Sequence, residues 1–142
     1  MSTLTSENRI TRTLIQPDDV GSTLSQYLGG KPAHSILFVI NTFRQLNSYA
    51  DAYHGGQWQF FALSNRGVYM APIGEGQLTL EVPSNHFTGS MSFDAAGIVA
   101  SLFTLNMLAW KTNNDDVGES FYRLRDFACA HAEASSILSA ID

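Results

Sequence analysis

The chain has 142 residues, 44% of them hydrophobic, and a single cysteine, Cys129. That length and apolar content suit one domain with its own core and exclude a disordered adaptor, while one cysteine excludes an internal disulfide framework and a multi-cysteine zinc site. Net charge is -5, too little for a protein that imitates DNA, since duplex DNA carries one charge per about 1.7 Å and a ~40 Å mimic would want on the order of twenty. The charge is uneven: residues 1–70 hold five basic and four acidic side chains, residues 71–142 three basic and nine acidic. Neither half carries the basic cluster that phosphate-backbone binding requires.

Residues 1–16 are expected to form a loosely ordered N-terminal segment with an edge strand in RITRTLI, ahead of a single domain over 17–142. MSTLTSENRITRTL has no apolar run of the kind a signal peptide needs. In QPDDVGSTLSQYLGG, Pro17 and two aspartates suit a first helical turn, and Gly29-Gly30 supply the stop. A second, amphipathic helix is predicted at about residues 35–53, where Ile36, Val39, Ile40, Phe43, Leu46 and Ala50 recur at three and four. These six are the predicted core face.

The period then switches. WQFFALS, turn SNRG, GVYMAP, turn GEG and QLTLEV read as successive strands, with HFTGSM as a fourth strand or a lead-in. Short connections predict an antiparallel meander of three or four strands. Both faces of WQFFALS are apolar, which places it centrally in the sheet. SFDAAGIVASLFTLNMLAW begins with Ser92 as N-cap and Asp94 in the first turn, where a carboxylate meets unpaired backbone N–H groups. Only Gly97, Ser101, Thr104 and Lys111 form a polar strip on it, so it is predicted to be the buried central helix. Ser101, Thr104 and Asn106 also keep it short of a membrane span. A last helix follows, with Asp116 and Glu119 as a capping box and Phe121, Leu124, Ala128 and Leu138 on its apolar side. The sum is an α+β single domain: an antiparallel meander packed against about four helices.

Few residues suggest chemistry. His34, His54, His86 and His131 fall in different elements and none shows the i,i+4 spacing of a helical zinc site. His131 sits on the apolar side of the last helix and reads as a hydrogen-bonded histidine at the core edge. Cys129, among alanines, reads as small core filler. Glu75 and Glu81 belong to a wet meander, and Arg123 and Arg125 alternate with Glu119 and Asp126 as ordinary helix pairs. No glycine-rich stretch has phosphate-loop spacing. No catalytic, cofactor-binding or metal-binding residue is assigned, and no cofactor. The hairpin WQFFALSNRGVYMAP reads first as core. Its polar points, Asn65, Arg66 and Tyr69, together with Asp94, form the candidate interaction surface.

The blocks WQFFALSNRGVYMAP, SFDAAGIVASLFTLNMLA and FYRLRDFACAHAEA resemble, in order, the ArdB/KlcA antirestriction protein family. The resemblance covers roughly residues 20–138. It implies a small cytoplasmic protein of plasmids, integrated conjugative elements and genomic islands. Such a protein relieves type I restriction-modification of incoming DNA and has a distinct α+β fold, unlike the acidic DNA mimics. Where that family often has Ser-Asn-Gly-Gly at the turn, this chain has Arg66 followed by Gly67. Where it often has proline after the histidine, this chain has Ala132, which favours an unbroken last helix. The implied action is through protein contacts or indirect, with the type I restriction complex in its cellular state or another host factor as partner, and no membrane or direct DNA binding. Two other classes stand beside it. An enzyme would need a polar cleft with ionisable groups about 3 Å apart. A nucleic-acid binder would need Arg9, Arg12, Arg44 and Arg66 in one patch.

Overall fold

The computed structural model describes residues 9–142; the first eight residues of the expected N-terminal segment lie outside the described residues. Strand β1 (Arg12–Leu14) leads through a short 3₁₀ turn into α1 (Val20–Tyr27) and α2 (Pro32–Tyr49). Strands β2 (Trp58–Leu63), β3 (Val68–Pro72), β4 (Gln77–Val82) and β5 (Phe87–Ser92) follow, then α3 (Phe93–Thr112), α4 (Asp115–Cys129) and α5 (Ala134–Ile141). The single α+β domain is as the sequence implies. The strands, however, form two small antiparallel sheets, β1-β2-β3 and β4-β5, and there are five helices among the described residues.

The division of the meander has a local cause. Pro72 ends β3 without an N–H to extend a ladder. Gly74 then passes so close to the Phe93 ring that a Cβ there would sit 2.4 Å from it. The chain between β3 and β4 is pressed against the start of α3, away from a continuous ladder. In the first sheet, β2 is central as its two apolar faces require, with Arg12 opposite Leu63 on one side and Phe61 opposite Tyr69 on the other.

Helix α3 is the core helix, with every residue from Ala95 to Leu102 buried. Two residues of its polar strip, Gly97 and Ser101, make the contact with β3. A Cβ on Gly97 would lie 2.4 Å from Ala71 Cα, so glycine is what permits the close approach. Ser101 Oγ bonds to the Met70 backbone in both directions, at 3.2 Å each. By length and composition α3 could cross a membrane, with a mean hydropathy of 1.4, but most of that window is buried inside the fold.

Three helical expectations need correction. Helix α2 runs three residues further toward the N-terminus than predicted, and its buried face is turned from the predicted one, which keeps only Leu46 and, at the helix end, Ala50 in the core. Phe38, Thr42 and Leu46 point inward with His34 and Ser35, while Ile36, Ile40 and Phe43 are 58%, 43% and 39% exposed. At about 100° per residue, the predicted stripe lies roughly a third of a turn from the buried one. The small Ser35 and Thr42 sit beside Phe38 and Leu46 on the inward face, and periodicity in apolar residues does not register them. Second, the cap of α4 is Asn114, whose Oδ1 accepts from Asp116 N at 2.9 Å and Val117 N at 3.2 Å. The Asp116–Glu119 box is not formed. Third, the last helix breaks after Cys129, which is exposed at the end of α4 and does not fill the core.

Candidate functional site

The break between α4 and α5 lands on the start of α3, and the polar side chains of the fold converge there. Ser92 ends β5 and caps α3, its Oγ accepting from Ala95 N at 3.1 Å. Glu133, from the α4–α5 connection, accepts from Ser92 N at 2.8 Å through Oε1 and from Ser92 Oγ through Oε2. Its carboxylate therefore sits against a helix N-terminus, where the backbone dipoles favour negative charge. Glu133 N in turn donates to His131 Nδ1 at 2.9 Å. That bond occupies Nδ1 as an acceptor, so the ring proton belongs on Nε2, which lies 2.9 Å from Asp94 Oδ2 and donates to it. Ala132, compatible with helix, does not prevent the break, because these side-chain bonds replace the helical ones.

Asp94 is the hub. Its Oδ1 accepts from Arg12 Nη1 at 2.8 Å and from the Tyr69 hydroxyl at 2.9 Å, while Arg12 also donates to the Tyr69 oxygen at 2.6 Å. The Arg12 guanidinium lies over the Phe61 ring, 4.3 Å from its centroid, and Phe61 stacks on Tyr69 at 5.0 Å. One carboxylate thus ties β1, β3, the first turn of α3 and the α4–α5 connection together.

The electrostatics follow from this crowding. Burial pushes the Asp94 carboxyl up, but hydrogen bonds from His131 and Tyr69 and the charge of Arg12 outweigh it, and its pKa is lowered from the ordinary value. Burial and the nearby Asp94 charge raise the Tyr69 phenol well above its usual range, only partly offset by Arg12. Burial opposes the charge on Arg12, yet its bond to Tyr69 and the negative neighbour raise it further. The cluster is a carboxylate, a neutral phenol and a guanidinium with their protons fixed. Chemically it is a clamp: each Asp94 oxygen is already taken by a protein donor, which leaves little basic capacity for a substrate proton.

Of the four sequence-predicted residues, the structure joins Tyr69 and Asp94 and separates them from the other two. Tyr69 is fully buried, so it positions other groups and offers no surface to a partner. Asn65 holds the hairpin tip to α4: Nδ2 donates to Arg123 O at 2.9 Å and Oδ1 accepts from Gly67 N at 3.0 Å. Arg66 adopts φ 70° and lays its guanidinium over Tyr27, 4.6 Å from the ring centroid. His131 is hydrogen-bonded at the core edge as expected. Arg12 and Glu133 were missed as partners, and only the alternation of β1 hinted that Arg12 shares a sheet face with the aromatic hairpin. Asp94 was assigned to capping; Ser92 alone does that work. His34 is likewise satisfied, with Nδ1 2.7 Å from Leu28 O. Among the described residues, no group of three or more His, Cys, Asp or Glu side chains could hold a metal ion.

Residues 51–142 match the family model of antirestriction proteins. The chain belongs to that family. It is 50% identical over 95 residues to an antirestriction protein KlcA of Escherichia coli, a match that spans 64% of this chain and 65% of that protein, just under two thirds of the relative's length. A second Escherichia coli antirestriction protein KlcA is 41% identical over 101 residues, covering 68% of this chain and 71% of the relative. The fold is similar to a solved structure from the KlcA and ArdB proteins, with a TM-score of 0.84 and 36% identity over 94% of this chain and 95% of that one. For those proteins the fold is novel, and they have antirestriction activity against type I DNA restriction systems in vivo but not in vitro. Family membership and the α+β fold agree with the resemblance read from the three sequence blocks.

Proposed function

We propose that this protein relieves type I restriction of incoming DNA inside the cell, without catalysis, by contacting a host protein. The partner is either the type I restriction complex in its cellular state or another host factor, which places the protein in the cytoplasm. The observation that carries the reading is the whole-length likeness to the KlcA and ArdB proteins, whose activity is seen in vivo but not in vitro. Dependence on the cell is what contact with a cellular partner predicts and what direct inhibition of a purified enzyme does not.

The site supports the non-enzymatic part. Ionisable groups do lie within 3 Å of one another around Asp94, but they satisfy each other, and neither apolar hollow beside β2 is lined by any of them. DNA mimicry fits poorly with a charge of -5. Direct DNA binding fits no better, because Arg12 is paired with Asp94 and Arg66 is stacked on Tyr27. Asn65 and Arg66 remain surface candidates at the hairpin tip, with Asp94 acting from beneath.

The test is the plating efficiency of unmodified phage on cells with and without a type I restriction system, each carrying this protein or an empty vector. A rise confined to restricting cells is expected. Equal plating across several type I families, with folded protein present in the cells, would overturn the reading.

A further inference from the structure

Trp110 is 83% exposed and Tyr122 62% exposed, the highest values among the large hydrophobic side chains that the described residues leave outside. Both line one hollow of about 230 Å³ between α3 and α4, with Asn106, Ala109, Gly118 and Phe121. Phe103, Phe121 and Phe127 of the same two helices pack against the core, and these two rings do not. Exposed tryptophan and tyrosine sharing one hollow mark a contact site, because such rings carry much of the energy where proteins meet.

The hollow is kept open. At Gly118 a Cβ would meet nothing within 4 Å, so packing does not demand glycine there, and glycine weakens a helix relative to alanine. Its effect is to leave the space beside the Trp110 ring uncovered.

Charge selects the occupant. Trp110 lies in the last turn of α3, and the two-residue link Asn113–Asn114 sets the first turn of α4 beside it. Asp115, Glu119 and Tyr122 stand at i, i+4 and i+7 and share one strip of α4. The ion pairs among the described residues both centre on Asp94, so neither carboxylate is in one, and Glu119 does not close the i,i+4 pair with Arg123. Lys111, which follows Trp110, and Lys31, near the Gly29 that abuts Asn114, close no ion pair with them either. Arg125 lies seven residues beyond Gly118, about 10 Å along the helix.

Open aromatic faces and unpaired carboxylates call for the same group. An arginine guanidinium stacks on a ring and donates from its edge to a carboxylate, so one side chain satisfies both. A phosphate-bearing ligand would meet Asp115 and Glu119 as like charges. The hollow lies between two helices, so it has no strand edge to extend.

We propose that this surface docks a basic segment of a partner protein, with an arginine stacked on Trp110 and Tyr122 and its N–H groups on Asp115 and Glu119. The proposal deepens the protein-contact reading and rests on it. It names the surface used and the chemistry of what binds there; proteins that work on DNA carry arginines of this kind.

The experiment follows a labelled peptide of alternating arginine and serine by fluorescence anisotropy against the whole protein at ~0.15 M salt. The wild type should bind it, and Trp110→Ala and Glu119→Lys should each bind it about tenfold more weakly. Tyr122→Ala is the second variant for the aromatic pair. These side chains are exposed, so the changes spare the core, and circular dichroism checks folding. Glu81→Lys alters net charge equally on the exposed face of β4 and should bind as the wild type does, which separates a site from general attraction. The lysine counterpart of the peptide should bind more weakly, since an ammonium presents no plane to stack. No binding by the wild type would overturn the proposal, as would an equal loss in Glu81→Lys or equal affinity for the two peptides. So would dimerisation, or binding of single-stranded DNA, that Trp110→Ala abolishes, since each assigns the surface another occupant. Peptide binding is read apart from phage plating. A failed surface with intact protection leaves the antirestriction reading standing, and bound peptide without protection leaves the surface standing.

Discussion

Replacing Asp94 by alanine removes the acceptor that three donors share. A hydrogen bond to a charged group contributes about 1.5–3 kcal/mol, and three would suggest a very large loss if they added. They do not add, because all meet on one carboxylate and because Arg12 and Tyr69 keep their own 2.6 Å bond when it is gone. What is lost outright is the partner of His131 Nε2 and, among the described residues, the only acceptor for the Tyr69 hydroxyl proton in a fully buried side chain. The side chain of Asp94 itself is 26% exposed, which moderates the loss. Asp94→Ala is therefore expected to cost ~3 kcal/mol in urea unfolding followed by tryptophan fluorescence. Asp94→Asn keeps an oxygen for Arg12 and Tyr69 but turns an amide donor toward the Nε2 proton of His131, whose other nitrogen is held by Glu133 N. It should cost about 1–2 kcal/mol. The pH dependence has a fixed sign. The folded carboxyl titrates below its ordinary value, so the unfolded chain takes up the proton first as pH falls. Its contribution is complete above about pH 4 and is lost as pH falls through the folded value. The gap between wild type and Asp94→Asn should shrink on acidification below about pH 4. An alanine variant within 1 kcal/mol of wild type, or a gap that widens toward low pH, would refute the clamp.

Other outcomes follow from single contacts. Gly97→Ala gains helix propensity of about 1 kcal/mol but drives a methyl group to 2.4 Å from Ala71 Cα; net destabilisation of about 2 kcal/mol is expected, and an unchanged urea midpoint would contradict the contact. Thr104→Val replaces a buried hydroxyl that has no hydrogen-bond partner among the described residues with a methyl of similar shape. It should raise stability by about 1 kcal/mol, visible as a higher melting temperature. Asn65→Ala removes the bonds to Arg123 O and Gly67 N and is expected to cost about 1–2 kcal/mol. Hydrogen exchange should then speed up at the hairpin tip while the core amides keep their relative order.

The local elements were legible in the sequence because their signals are local. Period two in the aromatic hairpin, glycine at the turns, Ser92 before an apolar run and the near-continuous apolarity of α3 each depend on residues a few positions apart. They suffice for an α+β domain and for the central place of β2. Three ordered blocks likewise carry the family, since a family signature is itself a property of the chain.

The clamp and the inward face of α2 were not legible for the opposite reason. Asp94 meets residues 82 and 37 positions away in Arg12 and His131, and no periodicity reports a pairing at that distance. The last helix reads as continuous by propensity, yet it breaks at His131–Glu133 because bonds to Asp94 and Ser92 outweigh a few helical ones. On α2 the pattern was sound but its centre was displaced, with Leu46 and Ala50 buried as predicted and the rest of the stripe turned outward. Ile36, Ile40 and Phe43 do form a stripe, but α2 turns its small Ser35 and Thr42 inward with Phe38 and Leu46, leaving that stripe outside. Which apolar face is core and which is surface depends on how closely two helices can approach, and that is settled by packing volume between distant elements. Sequence periodicity measures only the face.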